Sequence, residues 1–241
     1  MKKHMTLKKV TLTHFEFGVL IEGSAAGFRG TPSFEMSLTA DVFNLISKNN
    51  YNNPMGKESL PQFAEDYHRM LGSRWDQTNP FRKIFNLLTN HALRYLYAYR
   101  KMQRGEDPLK LFRLLKRILR QKYGLELDSF QIGKGLYLGH PYNITVSEHA
   151  VIGDNCNLSK GVTIGAENRG ERIGAPTLGN RVWVGTNAVL VGKITIGDNV
   201  LIAPNTYVNE DIPANSIVIG NPAQVIMDRS DATDGYINNV C

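Results

Sequence analysis

A six-residue repeat of aliphatic side chains dominates the second half of the sequence. It runs from residue 132 to residue 208 and keeps its register across a two-residue insertion and a longer interruption, AENRGERIGAPT. The positions are Ile132, Leu138, Ile144, Ile152, Leu158, Ile164, Leu178, Val184, Leu190, Ile196, Ile202 and Val208. A step of six matches neither the 3.6-residue period of a helix nor the simple alternation of a flat strand. It predicts short strands separated by tight turns.

Repeats of this length are typical of parallel β-helices, in which each coil stacks on the one before at about 4.8 Å and buries its neighbours' aliphatic column. The alternative is a chance periodicity in an α/β protein. We reject it because the register survives both interruptions. The repeat therefore predicts a solenoid.

The first half of the chain has a different character. Residues 1–123 hold 21 Lys and Arg against 10 Asp and Glu, whereas residues 124–241 hold 7 against 12. We predict an α+β protein with three parts: a basic, mainly helical region at 1–123, a β-helix at 124–227 and a C-terminal tail at 228–241. The basic half should attract anionic substrates.

Two helices are predicted in the basic region, at 79–103 and 107–124. Each begins with a capping residue followed by proline, and the second ends at Gly124. Shorter helices are predicted around MSLTADVFNLIS and SLPQFAEDYHRML. The segment 108–121 alternates leucines with lysines and arginines, a composition suited to the surface of an anionic membrane. We favour the alternative, a helix packed on the first coil or on another subunit.

Several functional classes receive no support from the sequence. The N-terminus lacks a signal peptide, and no apolar run is long enough to span a membrane, so we expect a cytoplasmic protein, with the inner membrane face as an alternative. Cys156 occupies an apolar repeat position and is interpreted as core packing. No zinc-like spacing and no nucleic-acid motif occur, so neither a metal nor nucleic acid is expected.

The stretches IGKGLYLGH, IGDNCNLSKGVTIG, PTLGNRVWVGTNAVLVGKITIGDNVLIAPNTYVNEDIP and VIGNPAQVI resemble the hexapeptide acyltransferases. They are most similar to the serine acetyltransferase branch and its relatives that O-acetylate capsular and lipopolysaccharide sugars. The resemblance covers residues 124–227. It implies a left-handed β-helix, a homotrimer, and acetyl-CoA lying in grooves between subunits.

The resemblance also implies a catalytic base. In GLYLGH, His140 occupies the position of the general base of the serine acetyltransferases. A neutral imidazole can take the proton of an attacking hydroxyl, which then attacks the thioester directly. His149 is the alternative base. The family's orienting aspartate is replaced by Leu125, with Glu126 and Asp128 nearby as substitutes.

The acceptor is predicted from what the chain lacks. Gly139, Gly174 and Ala175 stand where the serine acetyltransferases carry charged groups that engage the amino acid. We therefore expect a carbohydrate acceptor, a hydroxyl of a surface or capsular polysaccharide or its precursor. Serine acetylation for cysteine synthesis is the alternative, and a non-catalytic scaffold is the second.

The cofactor groove is also carried over from the resemblance. The residues expected to contact acetyl-CoA are Trp183, Gly185, Thr186, Ala203, Pro204, Asn209 and Gln224. Trp183 is expected to be exposed, facing either the pantetheine arm or a subunit interface. The family has Lys or Arg at the position of Gln224 to meet a CoA phosphate, and Arg229 is the candidate substitute.

Overall fold

The computed structural model describes residues 61–107 and 109–241. The helix expected around MSLTADVFNLIS lies outside these residues. Four helices precede the coils in the described chain, and they are α1 (Pro61–Leu71), α2 (Pro80–Thr89), α3 (His91–Gln103) and α4 (Leu111–Tyr123). We call them the helical cap. Helix α1 confirms the helix expected around SLPQFAEDYHRML.

The helix predicted at 79–103 is in fact two helices. Asn90 is extended, with φ −106° and ψ 108°, and its side chain accepts hydrogen bonds from the backbone N–H groups of Ala92 and Leu93. It therefore ends α2 and caps α3. An asparagine inside an apolar helical pattern was the available signal for this break.

The second predicted helix starts later than expected. Helix α4 begins at Leu111, and the Asp107 carboxylate accepts hydrogen bonds from the N–H groups of Phe112 and Arg113. Gly124 ends the helix with φ 65°, a conformation that glycine adopts at little cost. Asp107 is thus the cap that the sequence predicted, separated from the helix by an extra turn.

Residues 125–226 form the coils, in which the chain passes repeatedly over three parallel sheets. The strands are β1 (Leu125–Leu127), β2 (Tyr137–Gly139), β3 (Ile144–Val146), β4 (Val151–Ile152), β5 (Asn157–Ser159), β6 (Thr163–Gly165), β7 (Thr177–Leu178), β8 (Trp183–Val184), β9 (Val189–Val191), β10 (Thr195–Ile196), β11 (Leu201–Ile202), β12 (Tyr207–Val208), β13 (Ile217–Ile219) and β14 (Gln224–Ile226).

Face 1 has the order β1-β3-β6-β9-β12, face 2 the order β10-β7-β4, and face 3 the order β14-β13-β11-β8-β5-β2. All pairings within the three faces are parallel except β13 with β14. From β2 to β9 each strand pairs with the strand three further along the chain, as coil stacking requires, whereas β1 pairs with β3 and β11 with β13. The predicted architecture of N-terminal helices followed by stacked parallel strands is confirmed.

The aliphatic repeat forms the core of the coils. All twelve repeat positions are at most 2% exposed. Cys156 is buried among them, with Sγ 3.2 Å from the Gly179 carbonyl oxygen, and burial raises the pKa of its thiol to about 12. This thiol is a packing residue, as the sequence predicted, because a nucleophile needs an accessible thiolate.

A buried ion pair joins the helical cap to the first coil. The Arg100 guanidinium of α3 contacts the Asp66 carboxylate of α1 at 2.7 Å, and both side chains are fully buried. Arg100 also donates to the Ile132 carbonyl oxygen at 2.7 Å, and Asp66 accepts from the Leu136 N–H at 2.8 Å. These hydrogen bonds fix the helices on the coil backbone.

Helix α4 packs against α3 and β1. Phe112, Lys116 and Leu119 are buried, and Lys116 Nζ donates to the Leu127 carbonyl oxygen at 2.6 Å. Leu114 and Ile118 are exposed. The favoured interpretation, a helix packed on the first coil, is confirmed, and membrane contact stays a prediction. Within the described residues, no helix is long and apolar enough to cross a bilayer.

The C-terminal segment 228–241 lies along face 3. It contacts successive corners of the coils in reverse order: the N–H of Arg229 donates to the Asn215 carbonyl oxygen, and Thr233 donates to Asn199. Cys241 exchanges hydrogen bonds with the Asn155 side chain. The segment thus runs back from the last coil to the first.

Candidate active site

The candidate base lies where the chain passes from face 3 to face 1. Parallel pairing sets Gly139 beside Ser159, and His140 and Lys160 are the next residues of their coils. The first coil has two extra residues at this corner, because Thr145 pairs with Thr163, and the Gly161 N–H donates to the Tyr142 carbonyl oxygen. The corner residues that follow face 3 are His140, Lys160, Thr186, Pro204 and Gly220. We call this line the His140 edge. From Lys160 onward, successive members are one coil apart, about 4.8 Å.

His140 is exposed and directed away from the aliphatic column. Its backbone is left-handed, with φ 49°, and its carbonyl oxygen accepts from the Tyr142 N–H at 2.8 Å. No hydrogen bond to the imidazole is formed by the residues that the structure describes. The ring is therefore available to a ligand.

An aromatic cluster from the helical cap holds the turn that carries His140. His91, the first residue of α3, stacks on Tyr123 with ring centroids 4.1 Å apart and contacts Tyr142 at 5.1 Å. Its Nε2 lies 3.2 Å from the Pro141 carbonyl oxygen. Desolvation lowers the pKa of His91, against the opposing hydrogen bond to Pro141. No local sequence pattern connects His91 with His140, since 49 positions separate them.

The acidic groups considered as orienting partners of His140 are engaged elsewhere. Leu125 is fully buried in β1. Glu126 contacts Arg120 at 3.0 Å, and Asp128 contacts Lys116 at 3.3 Å. The prediction that one of these carboxylates orients His140 is not supported, because both neutralise the basic face of α4. No carboxylate contacts His140 in the described part of the chain.

Four of the predicted cofactor residues lie on or beside the His140 edge. Thr186 and Pro204 are members of it, and Gly185 and Ala203 precede them. Thr186 is half-buried and Pro204 is exposed, about two and three coils from His140. Gly185 is buried, and a Cβ added there would lie 2.6 Å from the Pro204 nitrogen. The next coil therefore needs this glycine, independently of any cofactor.

The other predicted cofactor residues lie elsewhere. Trp183 is half-buried on face 3 under Tyr236, with ring centroids 4.9 Å apart. The expectation that Trp183 is exposed is wrong, because the C-terminal segment covers it. Asn209 follows β12, where the chain leaves face 1, and Gln224 is exposed on β14. Arg229, the candidate phosphate contact, is paired with Asp231 at 2.9 Å.

The loop 166–176 and His149 lie at a different edge, between face 1 and face 2. Within the loop, Glu167 and Gly174 exchange backbone hydrogen bonds of 2.9 and 3.0 Å. His149 is exposed, 3.4 Å from Glu148. The single chain therefore does not bring His149 to the His140 edge. The described residues contain no group of three or more His, Cys, Asp or Glu side chains able to hold a metal ion.

Known proteins share this architecture. The model of the bacterial transferase hexapeptide, a six-repeat family, matches residues 175–210. A serine acetyltransferase of Helicobacter pylori is 36% identical over 115 residues, 47% of this chain and 67% of that protein. A serine acetyltransferase of Synechococcus elongatus is 36% identical over 115 residues, 47% of each chain. The crystal structure of Neisseria gonorrhoeae serine acetyltransferase aligns with TM-score 0.53 and 27% identity, covering 76% of this chain and 67% of that one.

The fold and these similarities define a hexapeptide-repeat transferase. The chain belongs to the hexapeptide-repeat acyltransferase family, in which its relatives are serine acetyltransferases. It spans about half the length of the Synechococcus relative and two thirds of the Helicobacter one.

These relatives overturn the predicted acceptor. We expected a capsular or other surface polysaccharide because charged groups are missing at Gly139, Gly174 and Ala175, yet the similar proteins are named for serine. The prediction of a carbohydrate acceptor is therefore wrong. Its error was to infer from three missing side chains that the chain lacks the ability to bind serine.

Proposed function

We propose that this protein is an acetyl-CoA-dependent serine O-acetyltransferase with His140 as general base. The observation that carries the proposal is the 36% identity to serine acetyltransferases over 115 residues, combined with an exposed imidazole at the matching position. The acetyl-CoA groove would follow the His140 edge past Thr186 and Pro204.

The reaction needs one proton acceptor at the hydroxyl. Neutral His140 takes the proton of the serine hydroxyl while the oxygen attacks the thioester carbonyl. The tetrahedral intermediate collapses with loss of the CoA thiolate, and the imidazolium returns its proton to that sulfur. A backbone N–H at the edge would stabilise the oxyanion. Cys156 takes no part, because its thiol is buried and protonated.

The assembly belongs to the same proposal. We infer a homotrimer of left-handed coils in which a neighbouring subunit completes the groove beside His140. The incomplete surroundings of His140 in the single chain support this inference, since no carboxylate orients the ring among the described residues. Light scattering should give three times the mass of the single chain, and a monomer with full activity would contradict it.

The activity is tested by following release of free CoA from acetyl-CoA with L-serine. His140→Asn is the sharpest variant, because asparagine tolerates the left-handed φ of 49° at this position and lacks the basic nitrogen. We expect a fall in kcat of about a hundredfold or more. His149→Asn, at the other edge, serves as comparison.

If His140→Asn retains the serine turnover of wild type and His149→Asn loses it, His149 is the general base. Absence of thioester consumption with serine would overturn the proposed reaction. In that case absence of acetyl-CoA binding as well, measured by calorimetry, would favour the non-catalytic scaffold.

A further inference from the structure

One lysine of the coils lies next to the candidate base. Lys160 follows β5 as His140 follows β2, and the pairing of Ser159 with Gly139 puts the two residues on neighbouring coils. Backbone hydrogen bonds fix this corner: the Gly161 N–H donates to the Tyr142 carbonyl oxygen at 3.0 Å, and the Asn187 N–H donates to the Lys160 carbonyl oxygen at 3.0 Å.

Glycine is required beside this lysine. Gly161 has φ 75°, and a Cβ added there would lie 2.0 Å from the Asn187 side-chain oxygen. Lys160 is the cationic side chain of the His140 edge, in the coil between those of His140 and Thr186. Lys160 is exposed, so its ammonium group remains accessible to a ligand.

The charge of Lys160 is not neutralised within the described residues. None of their carboxylates lies within ion-pair distance of it, whereas three arginines of the coils and C-terminal segment are committed to acidic partners. Those pairs are Arg172 with Glu167, Arg181 with Asp234, and Arg229 with Asp231.

The proposed acceptor needs such a charge close to the base. In serine only three bonds separate the hydroxyl oxygen from the carboxylate carbon, so a group that binds the carboxylate must lie within a few ångströms of the imidazole. Gly139, directly before His140, has no side chain. Gly174 and Ala175 lie at another edge of the chain and supply no charge.

We propose that Lys160 binds the carboxylate of the acceptor and so selects an α-amino acid over neutral alcohols. This inference rests on the proposed serine acetyltransferase function. The ammonium on its flexible four-carbon stem can span one coil to meet a carboxylate whose hydroxyl faces His140. The charge-assisted hydrogen bond orients the substrate for deprotonation.

A CoA phosphate is the other anion that a lysine on this edge could meet. The thioester must lie at His140 for transfer, and the phosphates lie at the far end of the pantetheine arm. Lys160 is only one coil from His140, which places it at the acyl end. The location therefore favours the acceptor carboxylate.

The test compares wild type, Lys160→Gln and Lys160→Arg with two acceptors, L-serine and L-serinamide, which lacks the carboxylate charge. We expect Lys160→Gln to raise the KM for serine about tenfold, the order of one charge-assisted hydrogen bond. The KM for acetyl-CoA and the kcat/KM for serinamide should not change. Lys160→Arg should retain most of the affinity for serine.

Lys134→Gln, at the edge between face 2 and face 3, removes the same charge and should behave as wild type. A raised KM for acetyl-CoA instead of serine would assign Lys160 to the phosphates and overturn the proposal. Equal losses with serine and serinamide, or no loss, would overturn it too. If wild type turns over serine and Lys160→Gln has the same KM for serine, only this inference is contradicted. If wild type does not turn over serine, the proposed serine acetyltransferase function itself is contradicted.

Discussion

The helical cap and the coils are stabilised in different ways. In the coils, each repeat position packs an aliphatic side chain against the same position one coil away, so neighbours in space are close in sequence. In the helical cap, α1 and α3 are joined by the fully buried pair of Asp66 and Arg100, which also bonds the backbone of the first coil. The cap therefore depends on a few specific contacts and the coils on many equivalent ones.

Each region contains one tryptophan. Trp75 packs against Phe63 and Tyr67 in the cap, with ring centroids 5.2 and 5.1 Å apart, and Trp183 lies on face 3 of the coils. Variants Trp183→Phe and Trp75→Phe therefore give proteins whose fluorescence reports one region each. Urea unfolding of these two proteins measures the stability of the helical cap and of the coils separately.

The largest effect is expected at the buried ion pair. Arg100→Met leaves the Asp66 carboxylate buried without its counter-charge and should lower the free energy of unfolding by about 3–5 kcal/mol. Burial raises the pKa of Asp66, and Arg100 opposes that shift. The fluorescence of Trp75 during urea unfolding should report this loss of stability. Arg104→Met, a partly exposed arginine just after the same helix, is the control, and a similar loss there would contradict the special role of Arg100.

A smaller loss is expected in the coil core. Leu190 is fully buried in β9, between β6 and β12. Leu190→Ala should cost about 3 kcal/mol through the cavity that it leaves. The urea midpoint measured from Trp183 fluorescence should fall, and the midpoint measured from Trp75 fluorescence should change little. Val189→Ala, on the outer side of the same strand, should cost less, and coincident shifts of both tryptophans would show that the two regions unfold as one.

The C-terminal segment joins the two regions and should contribute less. Tyr236→Ala removes the ring that covers Trp183 and should cost about 1 kcal/mol. Trp183 emission should shift to longer wavelength as water reaches the indole. Val240→Ala, exposed in the same segment, should leave the emission unchanged. An unshifted spectrum in Tyr236→Ala would mean that the segment does not cover the tryptophan in solution.

The smallest effect is a pH dependence from His91. Burial lowers the pKa of His91, so the unfolded chain binds the proton more readily than the folded one. The contribution of His91 to stability is therefore present above the ordinary histidine pKa of about 6.5. It is lost as the pH falls through the lower pKa that His91 has in the folded protein. The urea concentration at the unfolding midpoint of wild type should be lower at pH 5.5 than at pH 7.5. His91→Phe should show a smaller fall, and His149→Gln the wild-type fall.

The helical cap shows where sequence patterns fail. The apolar spacing at 79–103 predicts one helix, but the capping hydrogen bonds of Asn90 divide it. The Asp107 carboxylate does accept hydrogen bonds from the first turn of α4, but the helix starts at Leu111, with Lys110 instead of Asp107 at the cap position. These errors share a cause: helical periodicity does not distinguish one helix from two in succession, and local hydrogen bonds decide between them.

The candidate site shows the same division. The outward direction of His140 follows from its distance from the aliphatic column, and the structure places Thr186 and Pro204 on the same edge. The covering of Trp183 by Tyr236 and the support of the His140 turn by His91 join residues about 50 positions apart. No local pattern indicates such contacts.

The sequence by itself determined the coils, because a period of six records the stacking of identical units and each unit meets only its neighbours. It also indicated the base, through a short motif. Only the tertiary structure decided that α1 and α3 lock onto the first coil through Asp66 and Arg100 and that residues 228–241 return along face 3. These contacts depend on where separate segments meet in space, and their energies come from burial and charge pairing that no single segment contains.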